Sequence, residues 1–211
     1  MNLSKTIQDI HQNAVDHGWW ETDRSISESI VLIHSEWSEA VEEARASRPM
    51  KWYGCGEAGN DIVVCDPQDE YECRMYGREK ECQYRVNKPE GIAVELIDGV
   101  IRIFDLFGKM GYKPSRETAE AMMRAMKAAN PDLRKETPLV DIVAVAHSLT
   151  ANAGDNMMFG RLSIQVGLGP LEACAGMVMW WLEAQGEDPV AILEEKHRYN
   201  VTRPYKHGKA F

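Results

Sequence analysis

The segment HSEWSEAVEEAR, His34–Arg45, carries four acids: Glu36, Glu39, Glu42 and Glu43. Crowded carboxylates repel one another, so such a run needs water or a cation around it. Residues three apart on a helix lie one turn apart on the same side. That aligns Glu36 with Glu39, and Glu43 returns close to the same stripe. A second pair with the same spacing, Glu95 and Asp98, sits among Ile92, Val94, Leu96, Ile97, Val100, Ile101, Ile103 and Phe104. Those neighbours seek burial, and a carboxylate on a largely buried helix is costly unless paired or bound to a cation. Two helices with these stripes face to face would gather Glu36, Glu39, Glu95 and Asp98 into an oxygen-only ligand set, which suits Mg2+ or Mn2+. The plainer alternative leaves the first run as a solvated helix face and pairs Glu95 and Asp98 with Arg102 or Arg124.

Helices must position those acids, and apolar spacing predicts them along most of the chain. Thr6–His17 reads as a first helix, and Ser25–Ala46 as a second on which Ile30, Ile33, Trp37 and Val41 recur and which Ser27 or Ser29 caps. Gly91–Lys109, Ser115–Ala129, Leu139–Ala151, Pro170–Ala184 and Pro189–Asn200 complete the set, with Thr150–Gly169 the stretch of least definite pattern. Met50–Pro89 breaks the periodicity with glycines and polar residues, so it reads as a loop-rich insert with a short strand at Asp61–Cys65. The expectation is one all-α helical bundle over residues 1–211, with 50–89 inserted and 139–211 as a candidate degenerate second unit. That second unit rests on two echoes: IVLIHSEWSEAV against IVAVAHSLTANA, and the stretch from Ile97 to Pro114 against that from Cys174 to Pro189.

With 33 acidic against 24 basic residues in 211, and a net charge of -9, the chain argues against an extended nucleic-acid interface. No apolar run is long enough to span a membrane, and MNLSKTIQDIHQN lacks a signal-peptide core, so the expected location is cytoplasmic. Cys55, Cys65, Cys73 and Cys82 fall in the insert and offer a structural Zn2+ site, although no CxxC pair is present. Cys174, in an apolar helix, reads as core.

HSEWSEAVEEAR followed by ELID resembles the ExxE…ExxD signature of the MazG-like all-α nucleoside triphosphate pyrophosphohydrolases, and HQNAVDHGWW and EEKHRYNVTRPYKHGKAF resemble the flanks of that family. The resemblance covers roughly Ile7–Arg48, Pro89–Gly111 and Ala191–Phe211. It implies Mg2+ held by Glu36, Glu39, Glu95 and Asp98, and attack of water on a nucleoside triphosphate to release the monophosphate and pyrophosphate. The long insert, and the helical region between ELID and the tail, depart from the family's usual spacing.

Substrate contacts are expected from Lys196, Asn200, Arg203 and Lys206, with His207 and Lys209 beyond, because a triphosphate needs cationic donors. The same basic residues also suit a helix C-terminus. Trp20, beside Trp19, offers a face for a base or else packs in the core, and His34 orients a carboxylate or a water or else lies on the surface. Glu39 or Glu43, left partly free by the metal, is the expected general base. A non-catalytic module that binds nucleotide or a protein partner through the same groove is the alternative, a purely structural bundle is a third reading, and neither enzyme nor module excludes a homo-oligomer.

Overall fold

The computed structural model describes residues 1–55, 63–65, 85–132, 134–160 and 163–208. Helices dominate: α1 (Leu3–Asp16), α2 (Ile26–Arg45), α3 (Ile92–Met110), α4 (Ala119–Ala129), α5 (Leu139–Met158), the single turn α6 (Ile164–Gly167), α7 (Gly169–Gln185) and α8 (Pro189–Val201). The boundaries follow local chemistry. Asn2 starts α1 earlier than the apolar pattern suggests, its side chain accepting from the Lys5 amide at 3.1 Å. Ser25, and not Ser27 or Ser29, caps α2 through the Glu28 amide. Thr118 caps α4, so that helix begins later than Ser115. The Gly and Asn residues of Thr150–Gly169 do not end α5, which runs on to Met158.

The insert contributes more sheet than its composition suggests. Strands β1 (Trp52–Cys55), β2 (Val63–Cys65) and β3 (Arg85–Glu90) pair antiparallel in the order β2-β1-β3. Cys55 and Cys65 belong to strands, whereas Cys73 and Cys82, and with them the expected zinc site, lie outside the described residues. Gly91 joins the sheet to α3 at φ 112°, where a Cβ would sit 2.8 Å from the Met50 carbonyl oxygen, and that carbonyl accepts from the Ala93 amide.

α3 is central. It packs on α1, α2, α7 and α8, and Leu96, Ile97, Val100, Ile103, Phe104 and Phe107 are fully buried between them. Gly99 lets α2 come close, because a Cβ there would overlap the Trp37 ring. The packing is reciprocal: α2 lies on α3 as α5 lies on α7, α2 meets α5, α3 meets α7, and α8 covers α3 while α4 covers α7. Where α2 crosses α5, His34 Nδ1 lies 2.6 Å from His147 Nδ1, and Trp37 Nε1 donates to Thr150 Oγ1 at 3.0 Å. Both pairs are 113 residues apart in sequence. No helix among the described residues is long and apolar enough to cross a membrane.

Candidate metal centre and adjoining cleft

The α2–α3 contact brings one carboxylate oxygen each of Glu36, Glu39 and Glu95 within 4.8 Å of one another. Glu36 and Glu95 are 4% and 6% exposed, while Glu39 opens to solvent. Burial raises the Glu95 pKa to about 9, the nearby Asp98 adds to the shift, and Lys196 opposes it. Burial also raises the Glu36 pKa, against the pull of the Arg102 guanidinium and with help from Asp98 and Glu39. Two carboxyls that resist ionisation, beside a third open to water, form a site that gains by acquiring positive charge.

Asp98, the fourth expected ligand, is drawn aside. Its Oδ2 lies 2.9 Å from Lys196 Nζ. Lys196 is only 1% exposed and also donates to the Pro89 carbonyl at 3.1 Å. Burial alone would lower the Lys196 pKa, but Asp98 and Glu95 outweigh it and hold the pKa above its ordinary value. The expected phosphate-binding lysine is therefore an internal counter-charge, committed to the acids and to β3. Arg102, which the plainer alternative would pair with Glu95 and Asp98, donates from Nε to Glu36 Oε1. Glu43 turns away from the trio and accepts from Trp52 Nε1 at 2.7 Å. Glu42 pairs with Arg45 at the surface, and His34 Nδ1 meets His147 Nδ1 where α2 crosses α5.

A cleft opens from Glu36 and Asp98 along α3. α1 supplies Ile10, Asn13 and Ala14, and Trp19 and Arg24 follow in the connection to α2. α3 supplies Ile101, Arg102 and Asp105; His197, Asn200 and Arg203 close the far wall. The space between these walls, counting the open solvent at its mouth, is about 640 Å3. His17 sets the tail in place, with Nε2 donating to the Arg203 carbonyl at 2.9 Å. No protein-family model, curated protein or solved structure matches this chain.

Of the expected substrate residues, the cleft collects Asn200 and Arg203. Lys206 pairs with Glu21 at 3.7 Å instead. Trp20 donates from Nε1 to Asp105 Oδ1 at 2.9 Å, with the Arg24 and Lys109 cations 5.2 and 4.9 Å from its ring centroid, so its face is already engaged. Lys209 lies outside the described residues. Four polar groups in the cleft escaped the sequence reading: Arg24, Asp105, Asn13 and His197. Asp105 was visible as a charge on an apolar helix, two turns beyond Asp98. Arg24 and Asn13 stand in unremarkable local sequence and gain meaning only when α1, α3 and α8 converge.

Proposed function

We propose that the chain is a MazG-like nucleoside triphosphate pyrophosphohydrolase that works with Mg2+ and cleaves between the α and β phosphates. The observation that carries this reading is the Glu36–Glu39–Glu95 trio beside a cleft that Glu36 itself lines together with Asp98, Arg24, Arg102 and Arg203. Three converging carboxylate oxygens are the donors a hard divalent cation prefers. When bound, the cation would polarise the phosphates and acidify a bound water. Around it, the arginines hold anionic oxygens and offset charge that builds in the transition state. Glu39, the exposed member of the trio, is the better placed general base, since Glu43 is tied to Trp52. Asp98 keeps Lys196 beside the trio and completes the ligand set if Lys196 yields.

The reading extends to the domain plan. The reciprocal packing of α2, α3 and α8 with α5, α7 and α4 supports a duplicated helical unit whose second copy keeps, of the four acids, only the Glu172 counterpart of Glu95. The alternative, a binding module without catalysis, is favoured by one observation: Arg102 and Lys196 already neutralise two of the acids. Incubation with a panel of ribo- and deoxynucleoside triphosphates plus Mg2+, scored for pyrophosphate and monophosphate, separates the two. Release of both products, lost in Glu95→Gln, is the expected result. Nucleotide binding without any turnover across the panel would leave the module.

A further inference from the structure

One end of the cleft is built to receive hydrogen-bond donors. Asp98, Arg102 and Asp105 lie four and then three residues apart on α3, on one face. Asp105 is therefore about 10 Å along the helix from Asp98, roughly the reach from a nucleotide's outer phosphates to its base. Asp105 Oδ1 is saturated: it accepts from His11 Nδ1 at 2.7 Å and from Trp20 Nε1 at 2.9 Å. Asp105 Oδ2 has no hydrogen bond among the described residues, although the side chain is only 14% exposed. Asn200 Oδ1, on the facing helix, is buried and also lacks a partner. Asp105 Oδ2 is a carboxylate acceptor open to the cleft, and Asn200 Oδ1, a buried acceptor without a partner, carries a desolvation cost that a suitable ligand removes. Phosphate oxygens, themselves acceptors, cannot do so. The Asn13 amide, also without a hydrogen bond among the described residues, can donate as well as accept. Ile10, Ala14 and Ile101 supply apolar walls.

We propose that this end of the cleft reads a nucleobase, and that Asp105 Oδ2 accepts from an exocyclic amino group. The inference rests on the pyrophosphohydrolase reading for the placement of the phosphates. Amino-bearing bases (cytosine, adenine, guanine) are then preferred over their keto counterparts. The ring N–H of uracil lies between two carbonyl oxygens, which would meet Asp105 and Asn200 lone pair against lone pair. A site organised around a substrate's donor rejects the analogue that lacks it, because its own polar groups are left unpaired.

Asp105→Asn is the discriminating variant. Its amide oxygen can still accept from His11 and Trp20, while its NH2 replaces the acceptor that faces the cleft. kcat/KM is measured for the pairs dCTP and dUTP, dATP and dITP, and dGTP and dITP; the pair with the largest ratio identifies the base. The wild type is expected to favour the amino-bearing member by roughly 10–100-fold, and Asp105→Asn to shift that ratio at least ten-fold toward the member without that amino group. A ratio unchanged within two-fold, with all rates lowered, would reduce Asp105 to a prop for His11 and Trp20 and overturn the proposal. Affinities for CMP, UMP, AMP, IMP and GMP, measured without turnover, keep the two readings apart. Amino-selective binding that depends on Asp105, in a protein that hydrolyses nothing, upholds the base site and removes the reaction. Hydrolysis of every triphosphate at equal efficiency does the reverse, and failure to bind any monophosphate, with no amino preference in turnover, also overturns the base site.

Discussion

Glu95 on α3 and Glu172 on α7 are the same residue type, 6% and 7% exposed, in surroundings that could hardly differ more. Extending the echo that matches Ile97 with Cys174 sets Glu172 opposite Glu95 and Ala175 opposite Asp98. Glu172 is satisfied by the protein. It accepts from Tyr112 OH at 2.7 Å, from Ser115 Oγ at 2.6 Å and from the Ser115 amide at 3.1 Å, with Arg116 Nη1 3.6 Å away. Burial and the hydrogen bond to Glu172 raise the Tyr112 pKa, so its hydroxyl stays a donor. Glu95 has Glu36, Glu39 and Asp98 nearby, and burial, followed by Asp98, raises its pKa to about 9. Burial alone does not make a carboxyl reactive; the donors and charges around it decide. The first is a structural brace, and the second is a demand for positive charge.

The comparison breaks most cleanly on paired substitutions. Glu95→Gln should lower kcat/KM by at least about 10^3-fold, because it removes charge stabilisation where it matters most, and it should abolish the rise in Tm caused by Mg2+. Glu172→Gln should leave turnover nearly intact while destabilising the fold by about 1–3 kcal/mol, since the Ser115 amide and the hydroxyls lose a charged acceptor. Denaturation curves with and without Mg2+, run beside the kinetics, check both. Equal kinetic losses in the two variants would mean that the second half takes part in the chemistry.

Lys196→Ala should act on folding more than on binding. It strands Asp98 next to Glu95 and leaves the Pro89 carbonyl without its donor. Breaking such a buried pair from one side costs about 3–5 kcal/mol. A variant with normal stability, and with loss confined to KM for nucleotide, would return Lys196 to the role of phosphate ligand.

Much of the scaffold was legible in the sequence because apolar periodicity is a local signal. It located α2, α3, α7 and α8 to within a few residues, and the ExxE and ExxD spacings on α2 and α3 marked the trio in advance. The pairings that decide what each acid does were not local. Asp98 with Lys196, Glu36 with Arg102 and Glu43 with Trp52 depend on how α8, α3 and β1 come together, and no spacing encodes them. The sheet was mostly missed because WYGC and RVNKPE are short and lie in a polar, glycine-rich context. α5 was cut short because Asn and Gly read as helix breakers, although Gly154 faces α2, where a Cβ would lie only 3.3 Å from the Ile30 side chain.

A subtler difference between the halves should appear with pH. The Glu95 pKa is raised from its ordinary 4.5 to about 9, so the folded protein holds a proton that the unfolded chain releases. The stability this provides is complete below 4.5 and is lost as pH climbs through about 9. Glu36 shifts in the same direction. Metal-free protein should therefore lose Tm steadily across that window. Mg2+ or Glu95→Gln should flatten the slope, and Glu172→Gln should leave it unchanged. A slope that survives in Glu95→Gln would assign it to other groups.

The smallest effect is expected within the acid run of α2 itself. Glu39 and Glu43 lie four residues apart and both stood as candidate bases, yet only Glu39 belongs to the trio. Glu43 accepts from Trp52 Nε1 at 2.7 Å, and Arg48 lies 4.9 Å over the same indole ring. That arrangement fastens β1 to α2 and engages the Glu43 carboxylate there. A glutamine there can still accept from the indole through its amide oxygen, so Glu43→Gln should change kcat/KM by less than about three-fold and stability by no more than about 1 kcal/mol. Glu39→Gln, by contrast, should lower kcat by at least about 100-fold, the usual scale for removing a general base. A large kcat loss in Glu43→Gln, with the Tm unchanged, would mean that Trp52 releases Glu43 during turnover, and the base would then have to be assigned to it.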